Sequence, residues 1–203
     1  MQSKYTYLLI FLYSIFFIAA CKNTPLSKTD LGKYIYDEPN GFSISKNTGV
    51  FHLNVTYLPS VLRALNEKPI ATNLSDSIIP HFDKSLLFLF TISPMKGKSE
   101  GDVFLSGVNS KQDYEERVKK ANFGFADSWI LHLDNGTEIS PVGVQMEQTN
   151  GLTEHRKFHI LFDVSQYPEV HQSSTWDLKL NDDVFNSGIH HFVISKEDRD
   201  RLD

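Results

Sequence analysis

Short stretches of this chain alternate apolar and polar residues with a period of two, and that alternation restricts the fold more than any other feature. Phe158, Ile160, Phe162 and Val164 form one such series, and Trp176, Leu178 and Leu180, separated by Asp177 and Lys179, form another. Phe51, Leu53, Val55 and Tyr57 alternate with His52, Asn54 and Thr56, while Trp129, Leu131 and Leu133 alternate with Ile130 and His132. A period of two sends successive side chains to opposite faces, so each stretch predicts a half-buried β-strand. Residues 85–93 are apolar on both sides and predict a central strand covered on both faces. Residues 189–194 predict a closing strand.

The punctuation between these stretches is that of an antiparallel protein. Asn135-Gly136 predicts a two-residue type I′ hairpin turn. The return strand runs from Thr137 towards Glu147 with Val142, Val144 and Met146 on one face, and Pro141 within it predicts an edge strand or a break. Ser60 caps a short helix carrying Val61, Leu62 and Leu65. The one confident helix covers 110–121, where Ser110 and Asp113 make a capping-box-like start and Tyr114, Val118 and Ala121 line one face. Its pairs Glu115–Lys119 and Glu116–Lys120 predict a solvated charged face. Seven or eight strands, one or two short connecting helices and no βαβ rhythm predict a mainly β fold, an immunoglobulin-like antiparallel β-sandwich over residues 34–195. The Cys…Trp…Cys spacing of true immunoglobulin domains is missing, so the expectation concerns architecture. Long loops are expected at 66–84 and 94–109.

The N-terminus reads as an address. Lys4 gives a short positive region, residues 8–17 are apolar, and Ile18, Ala19, Ala20 and Cys21 end the run. The 16 residues from Tyr5 to Ala20 fall short of the roughly 20 needed to span a bilayer. The Ile-Ala-Ala-Cys ending resembles the lipobox of bacterial lipoproteins. That resemblance implies cleavage after Ala20, acylation of Cys21 and removal of a 1–20 signal peptide, with 21–33 as a polar tether and 196–203 as a charged tail. An uncleaved anchor helix, or an ordinary signal peptide with an incidental cysteine, are the alternatives. Lys22-Asn23-Thr24 carries neither an Asp retention signal nor an acidic surface-export cluster, which points to an outer membrane facing the periplasm.

Composition then excludes whole classes of chemistry. The full chain carries a formal charge of −5, and Lys4 is the only charge in the first 20 residues. Such a balance argues against nucleic acid and against a basic lipid-binding patch, so membrane attachment rests on acyl chains alone. Cys21 is the only cysteine, so its use as an anchor leaves none for a disulfide, a thiolate metal site or a nucleophile. The chain has no Gly-rich phosphate loop.

The remaining candidates have bland readings beside the functional ones. His155 and His159 fall about 13 Å apart on a strand at ~3.3 Å per residue, too far to share one ion. His190 and His191 point to opposite faces, and His52 and His132 sit on polar strand faces. Asn181-Asp182-Asp183 lacks the spacing of a calcium loop and predicts a turn. Tyr34, Tyr36, Tyr57, Trp129 and Trp176 are candidates for a sugar platform, although the last three also lie on apolar faces and predict core packing. No metal or cofactor is expected and no ligand-binding residue is assigned. The sequence therefore predicts a lipid-anchored envelope protein, a non-enzymatic interaction or assembly module with an envelope protein partner. The alternative is a glycan or small-molecule binding lipoprotein.

Overall fold

The computed structural model describes residues 28–67, 79–95, 97, 101–149 and 153–202. The expected signal segment, Ile18, Ala19 and Ala20 at its cleavage point, and Cys21 lie outside the described residues. The fold is mainly antiparallel β, with two sheets and a few short helices. One sheet contains β1 (Ser43–Asn47), β2 (Phe51–Tyr57), β3 (Ser85–Pro94), β7 (Arg156–Asp163) and β6 (Gly143–Met146), in the order β1-β2-β3-β7-β6. The other contains β5 (Glu138–Ile139), β4 (Trp129–Leu133), β8 (Thr175–Asp182) and β9 (Gly188–Ser195), in the order β5-β4-β8-β9.

Alternation in sequence becomes layering in space. Phe51, Leu53 and Val55 of β2, Phe88, Phe90 and Ile92 of β3, and Phe158, Ile160 and Phe162 of β7 are all buried. They are matched by Trp129 and Leu131 of β4 and Trp176, Leu178 and Leu180 of β8. Rings link the layers: Phe90 meets Trp129 at 5.0 Å between centroids, and Tyr57 meets Trp176 edge-on at 5.0 Å. Each tryptophan belongs to one sheet and its partner to the other, as face-to-face packing of two antiparallel sheets requires. β3 is central, and Leu89 on its opposite face is buried as well.

Pro141 acts as both of its expected alternatives. The backbone leaves β5 at the edge of one sheet, passes Ser140-Pro141, and enters β6 at the edge of the other. A residue without an N–H is tolerated where neither ladder needs a donor.

The hairpin at Asn135-Gly136 differs from the expected I′ form. Gly136 has φ 85°, but Asn135 is not in the left-handed region, and the Gly136 and Leu133 N–H groups bond to the carbonyls of Leu133 and Thr137. This is a three-residue loop, a type I turn closed by a glycine bulge. The cause lies outside the turn. Asp134 is tied to Ser173 and Ser174 on a neighbouring loop, which fixes it as the first turn residue.

Three boundaries move. Residues 28–33, expected within the tether, belong to helix α1 (Lys28–Tyr36), whose Leu31 and Ile35 are buried in the core. The expected loop at 66–84 contains the end of α2 (Ser60–Glu67) and all of α3 (Ile79–Phe82), and the loop at 94–109 contains a 3-10 turn at Val103–Leu105. The charged tail forms α5 (Lys196–Arg199) and a 3-10 turn over Asp200–Leu202, with Arg199 buried. Residues 28–33 and 196–202 are largely polar, which hid α1 and α5 from a hydrophobicity reading. β1 was equally silent, since Ser-Ile-Ser-Lys-Asn offers one apolar residue and forms an edge. Helix α4 (Lys111–Phe123) starts as expected, with Ser110 Oγ accepting from the Asp113 N–H at 3.1 Å. Its ion pairs are Lys111–Glu115 and, to the β8–β9 turn, Lys120–Asp183, in place of the two expected pairs.

Candidate functional site

One edge of the four-stranded sheet is made by β9. Its start is set by Asp182, a buried carboxylate at the end of β8. Asp182 accepts from the N–H groups of Val184 at 3.0 Å, Phe185 at 2.9 Å and Ser187 at 3.0 Å, and from the Ser187 hydroxyl. Four donors around one carboxylate make a rigid turn, with Asn186 at φ 57°. The turn expected at Asn181-Asp182-Asp183 begins later, since Asn181 and Asp182 end β8 in the ladder and only Asp183 lies in the turn, where it accepts from Ser128 and pairs with Lys120.

From that turn β9 pairs with β8 from Asp182↔Gly188 to Thr175↔Ser195. Phe192 and Ile194 point into the core, which sends Ile189, His191 and Val193 outward. On its far side β9 has no strand partner among the described residues. Lysine, proline and bulges are the usual guards of such an edge, and Gly188–Ser195 contains neither lysine nor proline. Ile189 is 60% exposed and Val193 51% exposed. Backbone groups and alternate apolar side chains therefore face solvent together.

Beside this edge a polar ladder crosses the open face of the same sheet. His132 Nδ1 lies 3.2 Å from Glu138 Oε1, and His191 Nδ1 lies 2.8 Å from Asp177 Oδ2. His132 and Asp177 are direct cross-strand partners, and His132 Nε2 and Asp177 Oδ1 are both occluded without a hydrogen-bond partner. A His–Asp pair is the geometry of a general base, and here it lies on the sheet face opposite the core. His190 takes the opposite face, with Nε2 3.1 Å from the Ser187 carbonyl, and burial lowers its pKa.

A cleft of about 420 Å³ opens elsewhere, lined in part by Tyr57, Ser60, His171, Trp176, Lys196 and Arg199. Of the five expected platform aromatics, Trp129, Trp176 and Tyr57 are buried, Tyr34 packs partly against the core and Tyr36 is exposed. They do not form one exposed array. Trp176 spends its indole N–H on the Val170 carbonyl at 2.8 Å. Lys196 and Asp200 pair with each other across the cleft's rim at 2.6 Å.

The other histidines are dispersed. His52 Nδ1 meets Asn47 Oδ1 at 2.8 Å, His155 precedes β7, and His159 Nε2 meets Glu147 Oε1 at 2.8 Å. Among the described residues no three His, Cys, Asp or Glu side chains are grouped so as to hold a metal ion, and no helix is long and apolar enough to cross a membrane. Sequence reasoning missed the buried arginines. Arg63 and Arg199 bind backbone carbonyls, and Arg156 pairs with Asp102. A lone arginine in a polar stretch carries no sequence signal of burial.

No family model matches the chain, and no curated protein matches it. Two solved structures resemble it in shape. A novel protein of unknown function from Burkholderia pseudomallei is 10% identical with a TM-score of 0.40, over 86% of this chain and 88% of that one. A DUF4426 family protein from Pseudomonas aeruginosa is 8% identical with a TM-score of 0.32, over 75% of this chain and 94% of that one.

Proposed function

We propose that this chain is a lipid-anchored protein of a bacterial cell envelope, held through Cys21 at the outer membrane and facing the periplasm. Its two-sheet domain acts as a non-enzymatic interaction module. The observation that carries the reading is the eight-residue edge strand β9, without lysine or proline of its own and with exposed Ile189 and Val193. Such an edge accepts an extended segment of a partner as an added strand, with main-chain bonds supplying affinity and alternate side chains supplying register.

The finer architecture is read as immunoglobulin-like. With β2 to β9 in the roles of strands A, B, C, C′, D, E, F and G, the observed orders correspond to A-B-E-D against C′-C-F-G. Trp129, buried on the strand in the C role, supports the same reading.

The test is in-cell photocrosslinking of the full chain with a benzophenone amino acid at Val193, with Cys21→Ser as the anchor control. One stoichiometric envelope protein, captured from Val193 and lost with the anchor, is expected. A label at Lys111, at the start of α4 and outside both sheets, should capture it poorly. Equal capture from both positions, or capture unaffected by Cys21→Ser, overturns the reading.

A further inference from the structure

An apolar groove runs over the outward face of the other sheet, where β3, β7 and β6 meet α3. Its volume is about 550 Å³, within the range of small-molecule sites. The register orders its floor. Ser85 pairs with Asp163, Leu87 with Leu161 and Leu161 with Gly143, then Leu89 with His159 and His159 with Gln145. Four residues separate Ser85 from Leu89, so the floor is about 13 Å long at ~3.3 Å per residue. Its walls are apolar and open: Val142 is 62% exposed and Leu161 38% exposed, with Phe82 and Val144 beside them. Gly143 contributes to the opening, because a Cβ built there meets no atom within 4 Å.

Arg63, at the Ser85 end, is only 7% exposed. Its guanidinium donates to the carbonyls of Phe82 at 2.6 Å and Ser85 at 2.7 Å and to the hydroxyl of Ser85 at 3.0 Å, and it stacks over the Phe82 ring. These acceptors are neutral. Arg63 makes no ion pair among the described residues, its Nε has no acceptor, and Asp83 acts on it only as a more distant charge. His81 and His159 also line the groove; Asp163, the partner of Ser85 at its end, is turned to the Ser165 N–H, and Glu147 is held by His159. A buried cation whose hydrogen-bond acceptors are all neutral is only partly compensated.

We propose that this groove binds a single-chain amphiphile with an anionic head, the acyl chain lying over Leu87, Leu161 and Val142 and the head drawn to the Arg63 charge. A carboxylate and a monoacyl phosphate share this chemistry. The groove is separate from β9, which lies in the other sheet.

The experiment uses the full chain in membranes with dodecanoic acid carrying a terminal diazirine, photolysed and mapped by mass spectrometry. Labelling is expected on 142–146 and 159–161, competed by unmodified dodecanoic acid or dodecyl phosphate. Dodecanol should compete at least about tenfold less well, the cost of removing a favourable charge contact. Stronger competition by the phosphate assigns a phosphoryl head, and stronger competition by the acid a carboxylate. Gly143→Phe projects a ring towards the groove from a position where a Cβ meets no atom within 4 Å, and should abolish labelling while the unfolding midpoint is retained. Arg63→Gln should erase the preference for anions if it folds, and Gly143→Phe decides the matter if it does not. Labelling spread over the surface, equal competition by dodecanol, or full labelling of a folded Gly143→Phe variant overturns the proposal.

Discussion

The guanidinium of Arg199 lies 3.8 Å from the centroid of the Trp176 ring. From there it donates to the carbonyls of Ser173 and Val170, which end a 3-10 turn at Pro168–His171. One side chain on the last helix thus covers the core tryptophan of β8 and satisfies carbonyls of the loop that precedes it. Ser195 fixes the approach, its hydroxyl capping the Asp198 N–H at 3.1 Å. The C-terminal residues are a lid on the end of the core.

Arg199→Ala should therefore destabilise the domain by about 2 kcal/mol, through loss of the cation–π contact and of the donor to the Ser173 carbonyl. Arg199→Lys should fall between, since an ammonium keeps the charge but cannot fork to two carbonyls while stacking. Urea unfolding followed by tryptophan fluorescence measures both. An Ala variant as stable as wild type would mean that the C-terminal helix merely rests on the surface.

Phe158 lies within the aromatic core. It contacts Phe125 at 4.9 Å, Phe90 at 6.0 Å and Phe185 at 6.3 Å, which join β3, β7, the turn before β4 and the turn before β9. Phe158→Ala should cost about 3–5 kcal/mol, the usual toll of a large cavity whose lining belongs to several elements. Equilibrium denaturation gives the value. A loss below about 1 kcal/mol would show that the surrounding rings collapse into the space.

How much of this was legible in sequence depends on which interactions decide each element. β2, β4, β7 and β8 announce themselves because burial of one face is what makes them strands, and burial leaves a period of two. β3 is legible as central for the same reason. α1 and α5 are not, since each is fixed by a few contacts, Leu31 and Ile35 in one case and Arg199 in the other, within an otherwise polar run. The turn at 134–136 shows the same limit from another side. Asn-Gly favours I′ locally, but Ser173 and Ser174, almost forty residues away, hold Asp134 in a different arrangement. The edge at β9 was visible as a strand, while its being an edge depends on strand order. The groove beside Arg63 depends on three strands and a helix that no local pattern brings together.

Asp182 is expected to be a structural cap. Replacing it by Ala leaves the N–H groups of Val184, Phe185 and Ser187 without their acceptor, for an expected loss of about 2–3 kcal/mol. Asp182→Asn keeps one acceptor oxygen and should lose about half as much. Thermal unfolding in the presence and absence of calcium completes the test. A calcium-dependent midpoint that vanishes in Asp182→Ala would make this turn a cation site instead.

Asp134 carries a pH signature that can be read residue by residue. Its pKa is lowered to about 2, first by the Ser174 hydroxyl, then by the Ser174 N–H and the Ser173 hydroxyl, against a small opposing effect of burial. An unfolded aspartate titrates near ~3.9. Between these values the unfolded chain binds more protons than the folded one, so stability from this carboxylate is present above about pH 4 and disappears as pH falls towards 2. Two measurements follow from that sign. Carbon-detected NMR should show Asp134 still about nine-tenths ionised at about pH 3, and Ser174→Ala should move its titration upward. The stability gap between wild type and Asp134→Asn should be constant from neutral pH down to about 5 and shrink below it. A gap that does not change with acid, or an Asp134 titration near the unfolded value, would mean that the serines hold the loop without holding the charge.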